Sequence, residues 1–190
     1  MPGWALLHSD YTYGDEALSC KFANDGHYAV GSKDGFVRYY DSSYNLVWFN
    51  QRNSNSEIRS LDFSPNSSYL LVTWSTNNRK VAIFDVSSNT SEINLTVSNA
   101  LAFYSVDWSP DGSLFAYGNK EKEVYINNGA EVSLFDSNLH IFGEPANDVE
   151  SVNFSYDSNW LVAGTKNNDV FFYKRDCTPT PLRNQQYCPA

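Results

Sequence analysis

Ser105–Gly118 reads SVDWSPDGSLFAYG. Val106 and Trp108 alternate with polar residues in the first run, and Leu114 and Ala116 share a face in the second. That period of two marks strands with one buried face. Between the runs stands Ser109-Pro110-Asp111-Gly112. Proline presets φ, aspartate bonds its own backbone and glycine accepts a positive φ, so the segment is a turn. The whole stretch predicts a β-hairpin. The pattern is written three more times, as FANDGHYAVGS from Phe22, FSPNSSYLLVTW from Phe63 and FSYDSNWLVAG from Phe154.

The four aromatic anchors, Phe22, Phe63, Trp108 and Phe154, lie roughly 41 to 46 residues apart, within the repeat length of propeller blades. A third apolar run follows each hairpin, at Phe36–Tyr40, Val81–Phe84, Val132–Phe135 and Val170–Tyr173. Three of these end in aromatic-Asp: Tyr40-Asp41, Phe84-Asp85 and Phe135-Asp136. The chain thus resembles the WD40 repeat family, in which that ending is Trp-Asp, over nearly all of residues 4–173. The expected fold is all-β, a WD40-like β-propeller of about four blades. The blades occupy 1–173, with hairpins starting near 18, 58, 104 and 149, and a Cys- and Pro-containing tail occupies 174–190.

Trp4-Ala-Leu-Leu-His8 aligns with Leu46–Asn50 and with Leu139–Phe142. The resemblance makes these the outer strands of blades. The chain then starts on an outer strand, carried by Trp4, Leu6 and Leu7, and its last blade ends on a third strand. The first strand is expected to complete the last blade, in cis or in trans. Four blades could close tightly, two chains could share an eight-bladed ring, or copies could join head to tail into a filament. An unpaired terminal strand is adhesive in any case.

Composition bounds the function. The chain has 190 residues, 42% hydrophobic and 16% aromatic, enough for one domain with a core, and a net charge of −9. That charge argues against a nucleic-acid or anionic-membrane surface, because both need Lys/Arg clusters. No apolar run is long enough to span a bilayer, and Met1-Pro2-Gly3-Trp4 lacks the pattern of a signal peptide.

The repeats depart from the family they resemble. Gly-His is missing before each first strand, so the family's His–Ser/Thr–Trp hydrogen-bonded set is not expected. Stability should rest on aromatic packing between blades, with Trp48, Trp74, Trp108 and Trp160 as candidates. Lys120–Gly129 reads as an insertion between the second and third strands of blade three. Cys20 stands where Leu61, Val106 and Val152 stand elsewhere and is expected to be a buried small hydrophobe. Cys177 and Cys188 enclose a short loop that could close as a disulfide, worth roughly 3 kcal/mol.

Four N-x-Ser/Thr sequons occur. Asn66, Asn89 and Asn94 are the N-glycosylation candidates, whereas Asn153 falls on an inner strand where a glycan fits poorly. Thr178 and Thr180 alternate with prolines and are O-glycosylation candidates. Asp62 and Asp107 share one strand position and are expected to face the propeller channel together. No catalytic set, metal set or phosphate loop is present in sequence, so no enzyme activity, metal or cofactor is expected. Two functions follow. The first is an extracellular structural protein that self-associates through strand complementation and carries glycans. The second is a cytoplasmic WD40-type scaffold for protein partners.

Overall fold

The computed structural model describes residues 3–51, 56–75, 80–88, 92–96, 102–129, 140–142, 145 and 147–175. They form four antiparallel sheets in chain order. Blade one is β1 (Ala17–Phe22), β2 (Tyr28–Ser32), β3 (Phe36–Tyr40) and β4 (Leu46–Gln51). Blade two is β5 (Ile58–Phe63), β6 (Tyr69–Trp74), β7 (Lys80–Asp85) and β8 (Glu92–Thr96). Blade three is β9 (Phe103–Trp108), β10 (Leu114–Asn119), β11 (Val124–Asn128) and β12 (His140–Phe142). Blade four has three strands, β13 (Val149–Phe154), β14 (Trp160–Thr165) and β15 (Val170–Lys174). Each sheet is a plain meander from inner to outer strand.

The anchor hairpins form as their turn residues dictate. Gly112 donates its amide to the Ser109 carbonyl at 2.8 Å and takes φ +75°, a region open to glycine at no steric cost. Gly26 takes the same place in blade one at φ +89°, while Ser67 and Ser158 do so in blades two and four at φ +60°. The anchors occupy one register position, opposite Tyr28, Leu70, Phe115 and Leu161.

Three apolar clusters lie between successive blades. Tyr39 and Trp48 of blade one meet Leu61, Phe63, Trp74 and Phe84 of blade two. Leu71 and Ile83 of blade two meet Trp108, Phe115 and Tyr117 of blade three. Ala116 and Val124 of blade three meet Val152, Phe154 and Leu161 of blade four. The inner strands β1, β5, β9 and β13 pack in that sequence. Among the described residues no strand of blade four packs broadly on blade one, so the succession has two free ends.

Several expectations need correction. Residues 4–8 form no strand and make no strand pairing among the described residues, so completion of the last blade in cis is not seen there. Lys120–Gly129 is not an insertion. A tight turn leads straight into β11 at Val124, so the third strand of blade three precedes Val132–Phe135, which lies outside the described residues. Cys20 is free and exposed, and the anchor Phe22 is 69% exposed while Phe63, Trp108 and Phe154 are buried. Both differences have one cause: among the described residues no other blade packs on that side of β1 to cover them. Trp48, Trp74 and Trp108 are buried between blades as expected, but Trp160 is 44% exposed, because it sits on the face of blade four that meets no further blade.

Glycines at one register position report these contacts. An added Cβ at Gly118 would lie 2.4 Å from Val149 Cγ1, and one at Gly31 would lie 2.3 Å from Ile58 Cγ2. At Gly164 such a Cβ meets nothing within 4 Å. Gly118→Ala is therefore expected to cost about 1–3 kcal/mol by overpacking, while Gly164→Ala stays within about 0.5 kcal/mol. Urea denaturation of the two variants checks this; equal losses would contradict the open face at blade four.

Candidate interaction site

Each inner strand has a neighbour in its sheet on one side only. Its amides on the other side need acceptors once the blades pack. The preceding blade supplies them through two register positions. Ser60 Oγ accepts from the Val106 amide at 3.1 Å and Asp62 Oδ2 from the Trp108 amide at 2.7 Å. One blade further, Ser105 Oγ accepts from the Val152 amide at 3.0 Å and Asp107 Oδ2 from the Phe154 amide at 2.6 Å. Serine recurs three residues before every anchor, as Ser19, Ser60, Ser105 and Ser151. One residue before the anchors stand Lys21, Asp62, Asp107 and Asn153.

Asp62 and Asp107 do come together, as their shared strand position implies, but neither lines an open channel. Both are buried, and Lys21 Nζ reaches Asp62 Oδ1 at 2.9 Å. Burial pushes the Asp107 carboxyl up to about 7, and the neighbouring Asp62 carboxylate adds to the rise. The Phe154 amide and Lys21 oppose it without cancelling it. This ladder was legible as a recurrent serine three residues ahead of each anchor, a signal that the aromatic pattern overshadowed.

The two ends of the succession expose what the interior blades bury. On blade four Ser151 and Asn153 are exposed, and Val170 and Phe172 project from β15, Phe172 at 70% exposure. Asn153 is thus accessible, contrary to the poor fit its strand position suggested. On blade one the outer half of the free face is closed by the chain's own start. Tyr40 Oη donates to Asp10 at 2.7 Å and bonds the Tyr13 hydroxyl, His8 stacks on Tyr44, and the Arg38 guanidinium lies over the Tyr13 ring. Burial and these two partners hold the Tyr40 hydroxyl far above its ordinary value. Trp4, Leu6 and Leu7 lie ahead of this seal and are exposed, Trp4 at 103%.

A polar set does form in blade one where the family's hydrogen-bonded set was expected to fail. Ser32 Oγ bonds Asp34, and Arg38 reaches both Ser32 Oγ at 2.8 Å and Asp34 Oδ2 at 2.9 Å. Burial works to raise the Asp34 carboxyl, yet Arg38, Ser32 and the Phe36 amide outweigh it and hold it at about 2. Arg38 stands on β3 two residues before Tyr40, which holds the place where the resemblance would put tryptophan.

The remaining candidates are placed as follows. Asn66 is exposed in the blade-two turn, where its Oδ1 accepts from Ser64 Oγ and the Ser68 amide. Asn94 lies on β8. Asn89, Cys177, Cys188, Thr178 and Thr180 lie outside the described residues. Among the described residues no three His, Cys, Asp or Glu side chains gather as a metal set, and no helix is long and apolar enough to cross a membrane.

The family pattern described as WD domain, G-beta repeat matches residues 8–41, 48–85 and 136–174. The chain belongs to the WD40 repeat family, and it is a WD40-type β-propeller scaffold for protein interaction. The three matches take in the first three strands of blades one, two and four, and β9–β11 of blade three, with their Pro-Asp-Gly hairpin, fall between them. No curated protein matches the chain.

The Asp107 carboxyl carries a sign that can be checked. Its folded value lies above the ordinary 3.8, so between roughly pH 4 and 7 the folded chain holds a proton that the unfolded chain has released. That contribution is complete below pH 4 and is lost as the pH rises through 7. Asp107→Asn keeps an acceptor for the Phe154 amide and a donor for Asp62. It is expected to flatten the fall in stability between pH 4 and 7 and to be at least as stable as the parent at pH 8, measured by urea denaturation. A variant that keeps the parent's slope would remove Asp107 as its source.

Proposed function

We propose that this chain is a self-associating WD40 scaffold, in which residues 4–8 of one copy complete the last blade of another by strand addition. One observation carries the reading: blades one to three have four strands, blade four has three among the described residues, and the segment aligned with an outer strand lies unpaired with Trp4, Leu6 and Leu7 exposed. Among the described residues β15 is the edge strand of its sheet, and a sheet edge is the standard receptor for an added strand. The seal of Asp10 and Tyr13 on blade one keeps residues 4–8 on their own side of that blade, which favours a partner in another copy. Assembly would be head to tail, closing as a ring or running on as a filament.

An extracellular setting is part of this proposal. The exposed Asn66 sequon supports it, and glycans at Asn66, Asn89 or Asn94 and a disulfide between Cys177 and Cys188 belong to the same proposal. A cytoplasmic scaffold is the second reading, favoured by the free and exposed thiol of Cys20, which is at home in a reducing compartment. Intact mass of the native protein, with and without deglycosylation and alkylation, separates the two. A mass above the bare 21.5 kDa that falls on sugar removal supports the first, and a bare mass with three free thiols supports the second.

Deleting residues 1–8, or changing Trp4, Leu6 and Leu7 together to Asp, is expected to weaken self-association by about a hundredfold or more, since three large apolar side chains lose their burial. Light scattering across a concentration series reads this. Association that is unchanged by the deletion would overturn the strand-addition reading.

A further inference from the structure

Blade four carries on its free side the same positions that blade three uses to hold blade four. By strand register Trp160, Val162 and Gly164 correspond to Leu114, Ala116 and Gly118. Val170 and Phe172 correspond to Val124 and Ile126. In blade three this face is packed against blade four; in blade four the same face is apolar and open. The polar pair is repeated as well, Ser151 and Asn153 standing at the places of Ser105 and Asp107. An asparagine oxygen accepts from an amide as a carboxylate does, so Asn153 retains the function without the charge.

The complementary side is found on blade one. Ala17, Cys20, Phe22 and Val30 occupy the register places of Val149, Val152, Phe154 and Ala163. Ala17, Cys20 and Phe22 are exposed, and Val30 is partly so. The Cys20 and Phe22 amides stand where the Val152 and Phe154 amides stand, the two that Ser105 and Asp107 receive.

We propose that the free face of blade four docks the β1–β2 side of blade one in a second copy of this chain, with Ser151 and Asn153 receiving the Cys20 and Phe22 amides. The occupant follows from continuity with the three blade interfaces already in the molecule, whose register both ends reproduce. It also follows from chain order. Residues 4–8 precede β1 as β12 precedes β13, so a strand added to β15 delivers β1 of the same copy to blade four. The inference rests on the self-association proposed above and names its second contact. Gly164 fits this role: at Gly31 and Gly118 the Cβ of the next blade's Ile58 or Val149 comes within 2.9 Å of an added Cβ, and Ala17 brings a Cβ to the same place. The junction also covers the Cys20 thiol and Phe22.

The test uses the full chain. Gly164→Val enters open space and is expected to leave the urea midpoint of the monomer unchanged while weakening association about tenfold or more by steric block. Ser151→Cys, with Cys177 and Cys188 changed to Ser, is expected to give a disulfide-linked species of twice the chain mass on mild oxidation. Changing Cys20 to Ser in that chain should abolish the species, and Tyr156→Cys, placed on an exposed turn instead of Ser151→Cys, should not form it. If Gly164→Val associates as the parent does and Ser151→Cys fails to cross-link while deletion of residues 1–8 still dissociates the copies, strand addition stands and face docking is overturned. If the deletion has no effect but Gly164→Val dissociates the copies, face docking stands alone. A parent chain that stays monomeric at every concentration, with no cross-link, overturns both.

Discussion

An inner strand of a blade leaves one row of amides without a strand partner, and the molecule answers with the side chains of the preceding blade. Ser60 and Asp62 take the Val106 and Trp108 amides, and Ser105 and Asp107 take those of Val152 and Phe154. Buried amides without acceptors would each cost on the order of 1–3 kcal/mol, so the packing of blades depends on this supply. The apolar clusters give the interfaces most of their driving force, but apolar contact is non-directional. The ladder is not, because an amide 2.6–2.7 Å from a carboxylate oxygen fixes how one inner strand stands against the next. Register along the propeller axis is therefore a polar property, and adhesion between blades an apolar one.

The ladder also has a direction. From blade two onward acceptors point from each blade to its successor, so the two ends of the succession differ in kind: blade four ends in unused acceptors, and blade one begins with uncapped amides. Lys21 breaks the pattern at the first interface, where an ammonium replaces the carboxylate and turns to Asp62 instead. That exchange partly neutralises two buried acids that would otherwise face each other, at the point where Asp107 has already been driven toward its protonated form. Asn153 relieves the same repulsion at the other end by giving up the charge.

Much of the fold was legible because it is written locally. Proline, aspartate and glycine in Ser109–Gly112 specify a turn without help from the rest of the chain, and the alternation around it specifies strands; four copies in register define blades. The places where reading failed are those where a residue's environment comes from another blade. Cys20 matches Leu61, Val106 and Val152 in register, and it is exposed because, among the described residues, no other blade packs on that side of β1. Trp160 matches Leu114 and is exposed because, among the described residues, no further blade packs on that face of blade four. Blade three misled for another reason. The apolar run Val132–Phe135 ends in Phe-Asp like its relatives, whereas the true third strand, VYINN, carries Asn127 where blades one and two have Tyr40 and Phe84. Asn127 there bonds the Tyr117 hydroxyl, so a polar pair replaces an aromatic one and hides the strand from a search for aromatic endings.

The candidate site was half legible for the same reason. Trp4, Leu6 and Leu7 stand out as an apolar segment that aligns with outer strands, and their exposure keeps them available as one. The Ser and Asp/Asn positions carry no such signal singly, since serine and aspartate are common on any strand that borders water. They acquire meaning from a spacing of three and one before each anchor, and from the finding that two of the four pairs already bind the next blade. Exposed residues that repeat a buried contact position differ from ordinary surface in one physical respect. Their geometry is already that of an interface, so a matching strand could dock with little rearrangement and with its amides satisfied. Specificity at such an end comes less from its hydrophobic area, which many surfaces share, than from two acceptors set at the spacing of alternate amides on a strand edge.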